Sequence, residues 1–174
     1  MVGLPAGIDL ARHRDFEGRA IGQWLRRGFL LLLTALVVAA LLNAFGQSST
    51  TSSARGGAGS LSVRAPERLR GGLLYQATFE IRAFRPIGAP VLVLDRGWYD
   101  QTTVNTLVPE PEASTSDAKH VKLRFAPLAP GRTLRIYIDF QTNPTNVGSH
   151  AAGVALYDGD RRIVSIDRTQ VNFP

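Results

Sequence analysis

Eighteen consecutive residues, Gly28 to Phe45 (GFLLLLTALVVAALLNAF), carry no charge and no proline, and only Thr34 and Asn43 among them have polar side chains. At ~1.5 Å per residue such a run makes a helix of roughly 27 Å, close to the hydrocarbon thickness of a bilayer. The chain then divides around it: a basic tail at 1–27, the transmembrane helix at 28–45, a flexible Ser/Gly linker at 46–60 and a domain at 61–174.

Charge sets the orientation. Arg12, Arg14, Arg19, Arg26 and Arg27 precede the apolar run, and no charged residue follows it until Arg55. Positive charge is retained on the cytoplasmic side, so the tail is expected inside and the C-terminal domain outside. Trp24 stands where an amphipathic ring lies at headgroup level, and Phe16, Ala20, Ile21, Trp24 and Leu25 have a roughly helical spacing suited to the membrane surface. Two other readings remain open. Small residues around Phe45 suit cleavage of an export signal after Gly46, and Arg26-Arg27-Gly28-Phe29-Leu30 resembles the core of a twin-arginine signal. The run is longer than a usual signal peptide core, which favours an uncleaved signal-anchor. Ala35, Ala39 and Asn43 fall four residues apart on one face, where small residues let a second helix approach and an amide can bond across the contact.

The stretch Gly46 to Ser60 (GQSSTTSSARGGAGS) is nearly all Gly, Ser, Thr, Ala and Gln. Such a composition buries too little apolar surface to offset its ordering entropy, so it is expected to be a flexible linker.

From Leu61 the pattern has period two. The longest alternation is Tyr75, Ala77, Phe79, Ile81 and Ala83 against Gln76, Thr78, Glu80 and Arg82; a second sets Leu134, Ile136, Ile138 and Phe140 against Arg135, Tyr137 and Asp139. Shorter strands are expected at Leu61–Ala65, Val91–Leu94, Thr102–Val108, Val121–Phe125, Val154–Tyr157 and Arg162–Ile166, the last two joined by a hairpin at Asp158-Gly159-Asp160. Seven or eight short strands in about 114 residues, with no helical period, predict an all-β fold of two antiparallel sheets packed face to face.

Few function classes survive this composition. The chain has no cysteine, which excludes disulfides, thiolate metal sites and a cysteine nucleophile. His13, His120 and His150 have no zinc-site spacing, and no GxSxG or phosphate-loop pattern occurs. Glu110, Glu112, Asp117, Asp158 and Asp160 have oxygen ligands for calcium, but Asp-Gly is ordinary turn chemistry and Pro-Glu-Pro-Glu ordinary loop. The net charge of +6 is interspersed along the domain rather than gathered in one stripe, which speaks against nucleic acid. Neither an enzyme nor a cofactor or metal protein is expected. In Asp95-Arg96-Gly97-Trp98-Tyr99-Asp100, adjacent Trp98 and Tyr99 offer rigid amphipathic area for a partner or membrane-surface contact; in the other reading Trp98 folds back onto the sandwich core.

The stretch KHVKLRFAPLAPGRTLRIYIDFQTNP, with its Leu-x-Pro-Gly turn between alternating strands, resembles the later strands of immunoglobulin-like domains in bacterial envelope proteins. The whole layout resembles small bacterial single-pass membrane-anchored proteins that export such a domain. The resemblance implies an immunoglobulin-like β-sandwich in the cell envelope and brings no catalytic residue with it. The expected role is that of a non-catalytic accessory or interaction subunit, with the bilayer and another membrane protein as partners. The alternatives are a module binding envelope glycan or peptide, and a domain secreted after cleavage near Gly46.

Overall fold

The computed structural model describes residues 20–42 and 48–174, in two compact units divided between Gly46 and Gln47. The first holds helix α1, Ala20–Leu41. It begins eight residues before the apolar run and takes in Trp24, Arg26 and Arg27. The Arg27 guanidinium lies 5.7 Å from the centre of the Trp24 ring. Thr34, the one hydroxyl in the described part of the run, donates to the carbonyl of Leu30 at 2.8 Å, so its polar group is satisfied within the helix. Residues Gly22–Leu41 have a mean hydropathy of 1.8, and none of this span is buried.

The second unit holds thirteen strands: β1 (Ser49–Arg55), β2 (Gly59–Pro66), β3 (Arg68–Arg70), β4 (Leu74–Ala83), β5 (Pro90–Asp95), β6 (Thr102–Val108), β7 (Ala113–Ser116), β8 (His120–Arg124), β9 (Thr133–Thr142), β10 (Gly148–Ala151), β11 (Val154–Asp158), β12 (Arg161–Ile166) and β13 (Thr169–Phe173). One sheet has the order β1-β2-β4-β9-β6 and a second the order β12-β11-β5-β8-β7; β10-β13-β3 form a smaller third sheet. Every pairing is antiparallel except β13 with β3.

The period-two pattern explains the core. Tyr75, Ala77, Phe79, Ile81 and Ala83 of β4 and Ile136, Ile138 and Phe140 of β9 turn inward, where they meet Leu92 and Leu94 of β5, Leu123 of β8 and Leu156 of β11. Apart from Leu74 at the start of β4, the outward residues facing away from these are Gln76, Thr78, Glu80 and Arg82 on β4 and Thr133, Arg135, Tyr137, Asp139 and Gln141 on β9. Two inner faces closing on one apolar layer make an antiparallel β-sandwich, as the alternation predicts, of the immunoglobulin type that the resemblance implies. Asp158 pairs with Arg161 across Gly159 and Asp160, and Gly159 takes φ +57°, so the expected hairpin forms.

The linker expectation needs correction. Seven of its residues, Ser49 to Arg55, form a strand in full register with β2, from Ser49 opposite Pro66 to Arg55 opposite Ser60. The cause is distant in sequence. Thr50, Ser52 and Ala54 face inward, and the guanidinium of Arg168 donates to the Ser52 hydroxyl at 2.6 Å, the Thr50 hydroxyl at 3.0 Å and the Ala65 carbonyl at 2.9 Å. A buried cation thus satisfies the hydroxyls that composition alone reads as solvent-seeking. The sandwich therefore starts at Ser49 and not at Leu61. The strand count is also higher than seven or eight, because β3, β7 and β10 are three or four residues long and carry no apolar alternation.

Candidate interaction surfaces

Trp98 sits at the end of one turn of 3-10 helix, Arg96–Trp98, between β5 and β6. It is 1% exposed. Its ring meets Phe79 edge-on at 5.3 Å and Phe140 at 5.7 Å, and its indole N–H donates to the carbonyls of Ala152 at 3.0 Å and Gly153 at 3.3 Å. The surrounding loop is fixed as well. The Asp95 carboxylate accepts the Gly153 N–H at 3.0 Å, and at Gly97 a Cβ would collide with the carbonyl oxygen of Ala151. Trp98 is therefore a core residue. The expectation that it anchors a partner is corrected, because a large apolar ring with its one donor satisfied gains most by burial.

Tyr99 is half-buried, its ring edge-on to Phe140 at 5.8 Å. Its hydroxyl is buried without a hydrogen-bond partner, and burial pushes its pKa up to about 12. On the helix, Ala35 is exposed and Ala39 half-buried. Asn43, the third residue of that stripe, lies outside the described residues, as does Phe16 of the tail.

The acidic loops have ordinary structural roles. Asp158 accepts the Ala89 N–H at 2.9 Å. Asp117 accepts the N–H groups of Lys119 and His120, both at 2.8 Å, and these bonds hold its pKa below the usual carboxylate range. Among the described residues, no three His, Asp or Glu side chains gather where a metal could bind.

The feature with the character of a binding surface is the outer face of the β1-β2-β4-β9 sheet. A groove of about 640 Å³ runs across it. Arg135 pairs with Glu80 at 2.7 Å, Gln76 donates to Asp139 at 2.8 Å, and Thr51, Ser62 and Thr78 add hydroxyls. Tyr137, directly opposite Thr78, stands 38% exposed among them. Hydroxyls, an amide, both signs of charge and one aromatic ring on a rigid sheet suit an extended polar ligand. The outward side chains of β2, β4 and β9 could be placed from alternation, but Thr51 of β1 could not, and that they form one groove depended on the register of four strands.

No protein-family model matches the chain, and no curated protein sequence matches it. Among solved structures it is similar to a non-cellulosomal cohesin from the hyperthermophilic archaeon Archaeoglobus fulgidus, at 17% identity over 72% of this chain and 92% of that one, with a TM-score of 0.40. It is also similar to a beta-glucosidase from Listeria innocua, solved in complex with gluconolactone, at 12% identity, 72% coverage and a TM-score of 0.27; there the chain spans 16% of the other's length. Likenesses this distant have no bearing on function, and the sandwich rests on its own topology.

Proposed function

We propose that this chain is a single-pass membrane-anchored protein of the bacterial cell envelope, with its tail in the cytoplasm and its sandwich exported, and that the sandwich is a non-catalytic interaction domain. The observation that carries this reading is the exposure of α1. Phe29, Leu30, Leu31, Leu32, Leu36, Val37 and Val38 all stand open. From Gly28 onward the helix has apolar residues on every side, a composition suited to lipid. Twenty-two residues at ~1.5 Å each reach roughly 33 Å, enough to cross with slight tilt. Arg26 and Arg27, with the tail arginines before them, favour a cytoplasmic N-terminus.

Binding by an accessory subunit would now run through the helix rather than through Trp98, with Ala35 and Ala39 offering a close approach to a second helix. A second reading, a glycan- or peptide-binding module, draws support from the polar groove around Tyr137. The test is to extract the full-length tagged protein in mild detergent, weigh it intact and identify what accompanies it. A full-mass chain with one stoichiometric membrane protein supports the accessory subunit. A full-mass chain that instead retains glycan or peptide supports the second reading. A chain starting near Gln47 and free of membrane overturns the anchor.

A further inference from the structure

Three arginines, Arg85, Arg161 and Arg162, line a groove of about 410 Å³ completed by Ala58, Pro86 and Ile163. Arg55 stands beside it, its guanidinium 4.7 Å from the centre of the Phe84 ring. All four are exposed, and among the described residues none is within 4.0 Å of a carboxylate. Elsewhere in the domain Arg96, Arg135 and Arg168 each have an acidic partner. We propose that this groove is a binding site for a polymer bearing regularly spaced phosphate groups.

The groove is built by the backbone. A Cβ at Gly56 would collide with the carbonyl oxygen of Ile163, so only glycine lets the β1–β2 turn lie against β12. That approach brings Arg55 to Arg161 and Arg162. The register between β11 and β12 slips at Leu156 and Tyr157: Leu156 pairs with Val164 but Tyr157 with Arg162, leaving Ile163 as an extra residue. In a regular strand consecutive side chains alternate between faces; the bulge re-aims them, and Arg161, Arg162 and Ile163 all reach one groove. On the other side, the N–H groups of Phe84 and Arg85 both donate to the Ala58 carbonyl, at 2.8 and 3.1 Å, which seats the Arg85 turn on the Gly56–Ala58 turn.

Clustered guanidinium groups repel one another, and these four outnumber the two acids beside them, Asp160 next to Arg161 in the chain and Asp158 across the hairpin, so a positive field remains that an anion relieves. Guanidinium forks match phosphate oxygens two at a time, which a strongly hydrated ammonium does not. Arg82 and Arg132 flank the same end of the sandwich, so the field extends beyond one anion's width and favours a repeating ligand over a single phosphate. A basic surface that runs past one anion's width is matched by a chain of phosphates, and the anion chemistry of the groove does not depend on the anchored reading above.

The test uses the full-length protein in uncharged detergent, with fluorescently labelled long-chain inorganic polyphosphate as probe and anisotropy as readout. Arg161→Gln with Arg162→Gln is compared with Arg68→Gln and Arg70→Gln, a pair that removes the same charge from exposed residues of β3 at the opposite end. Binding should weaken about tenfold or more in the first pair and about twofold or less in the second, since each lost bidentate contact is worth roughly a kcal/mol or more. Thermal melts establish that both variants fold. Equal weakening in the two pairs, or no binding by the parent protein, overturns the proposal. Vesicles of phosphatidylglycerol are the second probe: preference for them over polyphosphate, lost in the first pair, overturns the polymer in favour of a lipid headgroup. Neither probe depends on whether the chain is anchored in cells.

Discussion

At the Ser49 end of the sandwich, Arg168 is buried and bonded to two hydroxyls and a carbonyl, with Glu67 at 3.6 Å. At the Arg55 end, Arg55, Arg85, Arg161 and Arg162 stand in solvent, and among the described residues none has a carboxylate within 4.0 Å. The loops differ in the same way. Near Ser49 they are tied by side chains: Trp98 to Ala152, Asp95 to Gly153, buried Asn146 to the Asp100 carbonyl at 2.9 Å, and Thr142 to the carbonyls of Arg70 and Leu73. Near Arg55 they are held mainly by backbone bonds and by glycine at Gly56 and Gly59, where a Cβ would strike the backbone oxygens of Ile163 and Arg82. One end uses its polar groups to close the fold. The other leaves them free to meet something else.

The sharpest way to break this contrast is Trp98→Ala. It empties the largest fully buried site and should lower unfolding free energy by about 3–5 kcal/mol in urea titration. A loss under about 0.5 kcal/mol, the range for a surface change, would return Trp98 to the surface. Arg168→Leu comes next. It strips the Thr50 and Ser52 hydroxyls of their guanidinium donor, leaves the Ala65 carbonyl with the Thr50 hydroxyl at 3.4 Å, and should cost about 2–3 kcal/mol. Hydrogen exchange of residues 49–55 should quicken more than that of β4; unchanged exchange in β1 would mean the ladder to β2 holds it alone.

Tyr99→Phe is milder. The hydroxyl has no partner, so at neutral pH stability should stay within about 1 kcal/mol of the parent. The alkaline limb should change. The folded pKa is raised from 10.0 to about 12, so the stability linked to Tyr99 is complete below about 10 and lost as pH rises through about 12. Tyr75 is shifted the same way, by burial first and against the opposing hydrogen bond to Gln170. Removing Tyr99 should therefore shrink the alkaline loss and not abolish it, as thermal melts across that range would show. The smallest effect belongs to the Arg55 end: Arg161→Gln with Arg162→Gln should leave stability within about 0.5 kcal/mol, as surface changes do. A larger drop would mean that these arginines hold the fold together.

Much of the sandwich could be read from alternation. β4 and β9 carry their inward and outward sets unbroken, so their existence, faces and core residues follow from period two. Where that signal is missing, so was the expectation. β1 is Ser, Thr, Ala and Arg, and its reason to be a strand lies more than a hundred residues away in Arg168. β3, β7 and β10 are too short for a period to appear. Trp98 left two readings open because its neighbours are charged; the deciding facts, the carbonyls of Ala152 and Gly153 and the rings of Phe79 and Phe140, are tertiary. The Arg groove was hidden for the same reason. Its arginines come from three separate stretches, the end of β1, the turn after β4 and the start of β12, and gather through a bulge and a glycine contact that no spacing in the chain records.

The proposed anchoring puts the tail and the sandwich on opposite sides of one membrane. The chain has no cysteine, so a single introduced thiol reports its own compartment. Ser53→Cys, on the exposed face of β1, and Gly3→Cys, in the tail, would each be treated in intact cells with a maleimide that cannot cross the membrane. The account predicts labelling of Ser53→Cys before lysis, on a membrane-retained, full-mass chain, and of Gly3→Cys only after lysis. Labelling of the tail in intact cells, or release of the labelled sandwich without its helix, would contradict it.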